Sequence, residues 1–339
     1  MARGKAVALL SGGLDSRVAI KMMLDQDIEI EAINFVTPFC TCTAQGCRSE
    51  AREASRQFGV PLKVVNNSEA LLEAIKHPRH GFGRGLNPCL DCRIISFRKA
   101  AEYMETIGAT FLVSGEVVGQ RPMSQRRKAM DIIEAESGLV GKILRPLSAR
   151  HFPPTEAEEA GIVDREKLLS ISGRGRKEQI ALAEEMGIND YPCPAGGCLL
   201  TDPGFASRVR ELLCEFPDPS MPQVTLLKAG RHFRSSAGEW VIVPREDLEN
   251  RRLFNLRHVL TAVLEGVDVG GPVAGVLSAT ASEQTLVEAA ALVARYGQAR
   301  ERETVTVRAY APDESWERFF EASTADGARL AENLDRVGE

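Results

Sequence analysis

Ser11-Gly12-Gly13-Leu14-Asp15-Ser16 is the stretch that decides the fold of this 339-residue chain. It follows a short apolar run, residues 5–10, and precedes residues 17–24, whose apolar side chains recur at helical spacing. A strand that enters a glycine-rich turn and then a helix is a phosphate-binding arrangement, because glycines let an anion approach the backbone and the first N–H groups of the helix point at it. The stretch therefore predicts a polyphosphate site after the first strand.

Asp15 is unusual in such a turn, because a carboxylate repels phosphate unless a metal ion lies between them. The serine hydroxyls of the turn add donors for a polyphosphate, and Asp15 predicts that Mg²⁺ bridges the protein and the nucleotide. The Gly-Lys-Ser/Thr pattern of ordinary kinases and GTPases is missing from the turn, which disfavours that class. The alternative is a turn whose Gly and Ser residues only begin a helix.

The composition sets broad limits. Hydrophobic residues make up 44% and charged residues 26% of the chain, as in ordinary globular proteins, and the length allows two domains. No apolar run reaches the roughly 18 residues of a membrane span, so we expect a cytoplasmic protein without a membrane partner. The net charge of −5 argues against a broadly basic nucleic-acid binder, although a local basic face remains compatible with it.

Strand and helix patterns alternate from the N-terminus to about residue 114. This alternation predicts an α/β fold with a doubly wound parallel sheet, followed by a smaller C-terminal α+β domain. Ligands of such sheets bind beyond the carboxyl ends of the strands, so the loops 11–16, 40–47 and 115–120 should converge. We expect domains at 1–216 and 223–330 with a linker at 217–222, a helix near 256–264, and a polar tail that frays from about Thr324.

The eight cysteines are expected to be thiols, metal ligands or catalytic groups rather than disulfides. Cys89 and Cys92 are separated by two residues near a helix start, and Cys198 lies in another glycine-rich loop. Three such cysteines are the layout of an iron–sulfur site with one open iron, whereas zinc would want a fourth ligand, from Cys193 or less readily from Cys42 or Cys47. Either cysteine of the pair could instead be an activated thiolate or a small packed residue.

Three motifs carry a resemblance to a known family. Residues 11–16 resemble the PP-loop of the N-type ATP pyrophosphatases, whose signature is Ser-Gly-Gly-x-Asp-Ser. The segment Asn87-Pro-Cys-Leu-Asp-Cys-Arg93 is similar to one in the tRNA 2-thiouridine synthases, and Arg145-Pro-Leu147 is similar to one in the tRNA 4-thiouridine synthetases. The resemblance covers about residues 5–205. It implies an ATP-dependent enzyme that adenylates a uridine carbonyl oxygen of tRNA, forms AMP and pyrophosphate, and replaces the oxygen with sulfur.

The resemblance also implies roles for individual residues. Asp15, Cys92 and Cys198 would be catalytic, and Cys89, Cys92 and Cys198 would hold a [4Fe-4S] cluster, with zinc as the less favoured metal; in the other form of this chemistry, Cys92 and Cys198 form a persulfide pair. The residues expected to bind ATP are Ser11, Gly12, Gly13, Asp15, Ser16, Gly115 and Arg145, with Arg174 as a further phosphate partner. The group Cys40-x-Cys42-x₄-Cys47 is additional and is compatible with a second metal site, a sulfur relay or simple packing.

The C-terminal module contains the turn Lys228-Ala-Gly-Arg-His-Phe-Arg234, whose composition suits phosphate contacts and base stacking. It faintly resembles the RNA-binding module of ribosome quality-control factors, so we expect RNA recognition from about residue 223. The expected partners are tRNA and a sulfur donor, either sulfide or a persulfide carrier; a homodimer is left open. The alternatives are a PP-loop enzyme that thiolates or amidates a small molecule, and a non-catalytic RNA-binding or iron–sulfur protein.

Overall fold

The computed structural model of the chain describes residues 4–40, 46–191, 197–298 and 301–338. It divides into two compact units, Met1–Thr201 and Asp202–Glu339. Within the described ranges, no helix is long and apolar enough to cross a membrane.

The first unit alternates strands and helices, as its sequence predicts. Its strands are β1 Gly4–Leu9, β2 Ile28–Val36, β3 Leu62–Asn66, β4 Phe111–Ser114 and β5 Ile143–Leu144. Its helices are α1 Leu14–Leu24, α2 Gly46–Phe58, α3 Ser68–Lys76, α4 Cys89–Thr106, α5 Arg127–Ser137, α6 Glu156–Glu159 and α7 Lys177–Glu185, with 3₁₀ turns at Ala149–His151, Arg165–Lys167 and Leu199–Thr201.

These five strands form one parallel sheet in the order β3-β2-β1-β4-β5. Helices cover both faces, and Val7 and Ala8 of the central strand are fully buried on opposite sides. From β1 the chain passes first to β2 and later returns to β4 on the other side. The loops after β1 and β4 therefore border the crevice where doubly wound sheets bind ligands. The predicted α/β fold is confirmed.

The second unit has a six-stranded antiparallel sheet in the order β11-β10-β8-β9-β7-β6. Its strands are β6 Arg231–Arg234, β7 Trp240–Val243, β8 Ala262–Gly266, β9 Ala274–Val276, β10 Thr304–Tyr310 and β11 Glu317–Ser323. Its helices are α8 Pro203–Glu215, α9 Met221–Leu226, α10 Asp247–Asn255, α11 Glu283–Tyr296 and α12 Thr324–Asn333, with a 3₁₀ turn at Arg257–Val259. Helix α11 buries Leu286, Ala290 and Val293 in the core of this unit, which confirms the predicted α+β module.

The boundary between the units lies earlier in the chain than the expected linker at 217–222. Helix α8 joins the second unit because Arg234 on β6 forms ion pairs with Glu211 (3.1 Å) and Glu215 (2.8 Å) of that helix. Residues 217–222 also include the start of α9, which Ser220 and Gln223 cap reciprocally. The local composition predicts a turn at 217–222, but it does not indicate with which of the two units helix α8 packs.

Two local expectations for the second unit are wrong. The predicted helix near residues 256–264 is a short 3₁₀ turn followed by β8, because the buried residues 262–264 pair with β9 and β10 in the middle of the sheet. The tail from Thr324 is the helix α12, and Ser323 caps it by accepting a hydrogen bond from Asp326 N. Gly327 lets α12 approach α11 so closely that a Cβ there would meet the carbonyl group of Ala291. Few apolar side chains are needed for such a backbone contact, so the polar sequence hides it.

Candidate nucleotide and thiol site

The turn after β1 is tied together by its own serines. Ser16 Oγ donates to the Gly13 carbonyl (2.9 Å) and lies 3.2 Å from Ser11 Oγ, while the Gly13 N–H points at Ser11 Oγ (3.3 Å). Gly13 precedes the first residue of α1 in an extended conformation and has no side chain over the helix start. The turn therefore presents the N-terminus of α1 together with two hydroxyl groups, as a polyphosphate requires.

Glycines permit two close approaches around this turn. Gly12 has φ +83°, and a Cβ at this residue would lie 2.5 Å from Glu50 Cβ and 2.8 Å from the Ala51 nitrogen. A Cβ on Gly115, directly after β4, would lie 2.6 Å from the Asp15 carbonyl oxygen and 2.7 Å from the Ser16 nitrogen. The loops after β1 and β4 are thus in backbone contact, as the convergence of loops predicts. This contact gives Gly115 a clear steric reason to be glycine.

Arg17 fixes the turn from behind. Its side chain is almost completely buried, and its Nε donates to the Gly12 carbonyl (2.8 Å) while Nη1 donates to Gln57 Oε1 on α2 (2.8 Å). Burial lowers the pKa of Arg17, and the Glu50 carboxylate 3.7 Å away opposes this shift. The turn is therefore held rigidly before any ligand binds.

Asp15 is held on one side only. Its Oδ2 accepts a hydrogen bond from Gln120 Nε2 (2.5 Å) and lies 3.8 Å from Arg176 Nε, and Gln179 in turn donates to Gln120 Oε1 (3.0 Å). Its Oδ1 is buried and accepts no hydrogen bond within the described part of the chain. Burial raises the pKa of Asp15, and the Gln120 bond and the Arg176 charge oppose that shift. An oriented, desolvated carboxylate oxygen without a donor suits a hard cation, so the site fits Mg²⁺.

Four cysteines lie close enough to influence one another in pairs; we call Cys40, Cys89, Cys92 and Cys198 the thiol cluster. Cys89 and Cys92 lie in the first turn of α4, where Cys92 N donates to the Pro88 carbonyl (2.9 Å). Cys40 and Cys198 face each other across an isolated antiparallel bridge, next to the hydrogen bond from Leu199 N to the Phe39 carbonyl (2.8 Å). All four side chains are partly buried.

The surroundings of the thiol cluster raise the pKa of two of its cysteines, Cys92 and Cys198. Burial raises the pKa of Cys92 to about 12, against the opposing charge of Arg93, and the neighbouring Cys89 and Cys198 raise it further. Burial also raises the pKa of Cys198 to about 11, with added contributions from Cys89 and Cys40. Both groups are therefore thiols at neutral pH in the unliganded protein, and a reaction must generate the thiolate at the moment of attack.

One carboxylate joins the thiol cluster to the nucleotide turn. Glu116, which follows Gly115, accepts from Arg93 Nε (3.0 Å) and Nη2 (2.5 Å) and, through its other oxygen, from Arg145 Nε (3.2 Å). Burial alone would raise the pKa of Glu116, but the Arg93 and Arg145 charges lower it more, so the net pKa lies below the ordinary value. Glu116 is therefore an ionised link between the residue beside Cys92 and the loop that touches Asp15.

Among the predicted ATP-binding residues, the structure brings Gly115 to the turn of residues 11–16. Arg145 is buried and pairs with Glu116 and Glu134, which gives it a structural partner set; its Nη2 has no hydrogen-bond partner within the described ranges. Arg174 is exposed, and Arg176 is the arginine that approaches Asp15. The ligand roles of these residues stay predictions.

Sequence reasoning missed Gln120, Arg176, Glu116 and the pairing of Cys40 with Cys198. Of these, Glu116, Gln120 and Cys40 lie in the loops 115–120 and 40–47 that the sequence predicts to converge, but the sequence gives no signal for their individual partners. Cys42 and Cys193 lie outside the described residues, as does the side chain of Cys47. No group of three or more His, Cys, Asp or Glu side chains in the described ranges is arranged to hold a metal ion. The described thiols are therefore not arranged as a metal site in this structure.

The basic turn of the second unit differs from its expected use. His232 and Phe233 are buried, and His232 Nδ1 accepts from Trp240 Nε1 (3.0 Å). Burial lowers the pKa of His232 well below 6.5, so this ring is neutral and part of the core. Arg234 is occupied by Glu211 and Glu215, whereas Arg231 lies over the Tyr296 ring at 4.3 Å and is partly accessible. Of Arg231, His232 and Arg234, Arg231 is therefore the residue whose cationic group best suits phosphate.

Fold and site together give the first unit a doubly wound α/β fold, with a glycine-rich turn that resembles a PP-loop and a thiol cluster nearby. Residues 1–151 match the family model described as thiamine biosynthesis protein (ThiI), and residues 230–333 match the one described as NFACT protein RNA binding domain. The resemblance to the PP-loop ATP pyrophosphatases of the tRNA thiolation branch is thereby confirmed.

Two curated proteins and one solved structure are similar to parts of this chain. A probable tRNA sulfurtransferase of Thermotoga maritima is 33% identical over 163 residues, which cover 46% of this chain and 39% of that protein. A tRNA-specific 2-thiouridylase of Coxiella burnetii is 35% identical over 117 residues, which cover 31% of this chain and 32% of that protein. A crystal structure of a 4-thiouridine synthetase–RNA complex with bound ATP is 24% identical, with a TM-score of 0.39, and covers 66% of this chain and 52% of that one. The chain spans about a third to two fifths of the length of these two curated relatives.

Proposed function

We propose that this protein is an ATP-dependent tRNA thiolation enzyme of the cytoplasm, which adenylates a uridine carbonyl oxygen and replaces it with sulfur. One observation carries the proposal: the adjacent residues Gly115 and Glu116 touch the phosphate turn at Asp15 and the thiol cluster through Arg93. A thiolation enzyme needs these two centres side by side, because the carbon activated at one must be attacked by sulfur from the other. The named relatives are tRNA-modifying proteins, which supports this substrate class.

In the activation step, the N–H groups at the start of α1 and the hydroxyls of Ser11 and Ser16 would hold the ATP phosphates. Asp15 would hold Mg²⁺ through Oδ1, while Gln120 and Arg176 orient the carboxylate through Oδ2. Magnesium would neutralise charge on the phosphates. The uridine oxygen then attacks the α-phosphorus, pyrophosphate leaves, and the oxygen becomes part of AMP, a far better leaving group than oxide.

In the sulfur step, a thiol of the cluster would carry sulfur to the activated carbon. The pKa values of Cys92 and Cys198 are raised, so a nearby cation or hydrogen-bond donor must stabilise the thiolate as it forms. Arg93 is placed to do this for Cys92. Sulfur delivery has two forms in this proposal, a cysteine persulfide or a [4Fe-4S] cluster on Cys89, Cys92 and Cys198. Iron, zinc and acid-labile sulfide measured on anaerobically purified protein separate these forms, because the persulfide form predicts sulfane sulfur without stoichiometric metal.

RNA would be recognised by the second unit. The match of residues 230–333 to an RNA-binding domain supports this, as does the accessible Arg231. Strand β11 at the sheet edge adds an aromatic ring that sequence reasoning did not single out: Phe319 is 59% exposed. An exposed aromatic ring can stack a nucleic-acid base.

The test is ATP–pyrophosphate exchange and AMP release with and without unmodified tRNA, followed by mass spectrometry of the digested nucleosides. The proposal expects AMP formation that depends on tRNA and a sulfur-containing uridine when a persulfide donor is present. Asp15→Asn should abolish AMP formation, and Asp25→Asn at the exposed end of the same helix should not. AMP formation that depends on a small molecule rather than tRNA would favour the small-molecule alternative.

A further inference from the structure

Cys40 is a cysteine that the proposed sulfur chemistry has not used. It lies just beyond β2, after Phe39, which is buried, and directly opposite Cys198 in the antiparallel bridge. Two further backbone contacts hold the Cys198 segment in place: Leu86 N donates to the Leu200 carbonyl (2.9 Å), and Thr201 N donates to the Cys198 carbonyl (3.0 Å). Cys40 and Cys198 are thus fixed as neighbours by the main chain.

The hydrogen-bond pattern specifies the type of pair. Leu199 N bonds to the Phe39 carbonyl, so the bond flanks the two cysteines and they form a non-hydrogen-bonded antiparallel pair. Residues in such pairs have Cα atoms about 4.5 Å apart and side chains on the same face. Disulfides span Cα separations of about 4.4–6.8 Å, so these two sulfurs can bond with little backbone movement. For Cys92, which is placed by helix α4, no such backbone pairing with Cys198 is present in the described residues.

We propose that Cys40 and Cys198 form a dithiol–disulfide couple, in which Cys198 carries the persulfide and Cys40 resolves it. This assignment rests on the proposed function for the identity of the sulfur acceptor. Cys40, instead of Cys92, is then the second redox cysteine. Cys92 and Arg93 lie near the reaction but do not form the disulfide.

The sulfur donor is of the persulfide class, R–S–SH. The Cys198 thiolate attacks the outer sulfur of the donor, an S–S bond forms on Cys198, and R–SH leaves. The outer sulfur on Cys198 then attacks the adenylated carbon, a C–S bond forms, and the C–O bond to AMP breaks. Finally, the Cys40 thiolate attacks Cys198 Sγ, so the Cys40–Cys198 bond forms and the S–S bond to the base breaks.

The attack of Cys40 on Cys198 also balances the electrons and protons of the reaction. The two cysteine sulfurs lose two electrons, and the transferred sulfur gains them and stays on the base as a thiocarbonyl. The base takes up the proton that Cys40 released. Without an acceptor, the same attack expels hydrogen sulfide from the Cys198 persulfide. A dithiol reductant must then open the disulfide before the next turnover.

The experiment loads the full-length protein with inorganic polysulfide, removes the excess, and incubates it without reductant, with and without ATP and tRNA. Remaining thiols are blocked with N-ethylmaleimide, and non-reducing peptide maps identify the disulfide. The expected result is a Cys40–Cys198 linkage, with one sulfide released per linkage when no acceptor is present. A Cys92–Cys198 linkage instead would overturn the assignment, and this mapping needs no variant.

Three serine variants add a rate measurement. Cys40→Ser should accumulate persulfide on Cys198 and slow sulfide release at least tenfold, while Cys92→Ser should retain the Cys40–Cys198 linkage. Cys214→Ser is the matched control, since Cys214 is an exposed thiol of the other unit, and it should behave as the unmodified protein. Unchanged sulfide release in a folded Cys40→Ser protein contradicts the inference, and so does stoichiometric iron that protects Cys198 from alkylation. The assay without ATP or tRNA reports on the couple alone, so its outcome is distinct from that of tRNA-dependent AMP release.

Discussion

The two neighbouring glycines of the phosphate turn allow the anion site to be tested separately from the fold. At Gly13 the backbone is extended, and an added Cβ would meet only Ser11 Oγ at 3.5 Å, an ordinary contact. At Gly12 the backbone has φ +83°, and an added Cβ would lie 2.5 Å from Glu50 Cβ and 2.7 Å from the Glu50 carbonyl carbon. Gly13→Ala and Gly12→Ala therefore insert the same methyl group into open and into occupied space.

The expected stabilities follow from these distances. In Gly13→Ala, alanine is a poorer residue than glycine at the position before the helix, which costs about 0.5–1 kcal/mol. Alanine also reduces the conformational entropy of the unfolded chain, which offsets this cost, so the free energy of unfolding should change by less than about 1 kcal/mol. For Gly12→Ala, the left-handed conformation costs about 1–2 kcal/mol and the clash with α2 a further 1–3 kcal/mol, about 3 kcal/mol in all. Urea denaturation measures both changes.

ATP binding is the second readout. If phosphate approaches the backbone at the start of α1, the methyl group of Gly13→Ala occupies the position of a phosphate oxygen and should weaken Mg²⁺–ATP binding at least tenfold, about 1.4 kcal/mol. Isothermal titration calorimetry on the same preparation gives this value. A Gly13→Ala protein of ordinary stability that binds ATP like the unmodified chain would refute the phosphate-cradle assignment.

Four further predictions concern charged groups. Asp15→Asn should keep the fold yet reduce AMP formation at least a hundredfold, measured as tRNA-dependent AMP release, because it removes the oxygen assigned to Mg²⁺. Glu116→Gln should lower the free energy of unfolding by about 3 kcal/mol in a urea titration, because it leaves buried Arg145 and neighbouring Arg93 without a counter-charge. As a control, Glu283→Gln, in the exposed pair with Arg318, should lower it by less than about 1 kcal/mol. Because the folded-state pKa of Glu116 is depressed, its contribution is complete above its ordinary value of 4.5 and is lost as pH falls through the folded pKa; the stability gap between the unmodified protein and Glu116→Gln should therefore narrow in acid. Arg231→Ala should weaken tRNA binding and flatten the log–log salt dependence by about 0.7–0.9, while Arg234→Ala, whose partners are Glu211 and Glu215, should change stability more than that slope.

Much of the first unit follows directly from its sequence. Residues 28–36 alternate and then become apolar, and the structure places β2 at Ile28–Val36. The Gly-rich turn after an apolar run predicts the phosphate site because every element of that prediction is local: the strand, the glycines and the helix start are contiguous. Helix α4 begins at Cys89, so the Cys-x-x-Cys segment, expected near a helix start, forms its first turn.

The features that sequence reasoning missed depend on contacts between distant residues. Gln120 reaches Asp15 across 105 positions and Arg93 reaches Glu116 across 23, and neither side chain is distinctive in its own segment. His232 illustrates the opposite error: beside Gly and Arg it suggests an exposed binding turn, but both faces of strand β6 are covered there, and this ring packs against Trp240 in the core. Composition indicates what a residue can do, whereas burial decides whether it is available.

The link between the two centres has a mechanical consequence. Gly115 is packed against the backbone of Asp15, and the next residue, Glu116, is fixed by ion pairs to Arg93 beside Cys92 and to Arg145. Gly115, which contacts the phosphate turn, and Glu116, which contacts Arg93 on helix α4, are therefore joined by one peptide bond. Neither centre can shift without moving the other. Sulfur transfer to an adenylated carbon requires that the two reacting atoms be held within a few ångströms, and positioning of this kind supplies much of the rate in such reactions. A rigid two-residue link of buried charge and close backbone packing meets that requirement better than mobile loops, which explains why a chain would keep a costly buried carboxylate at this point.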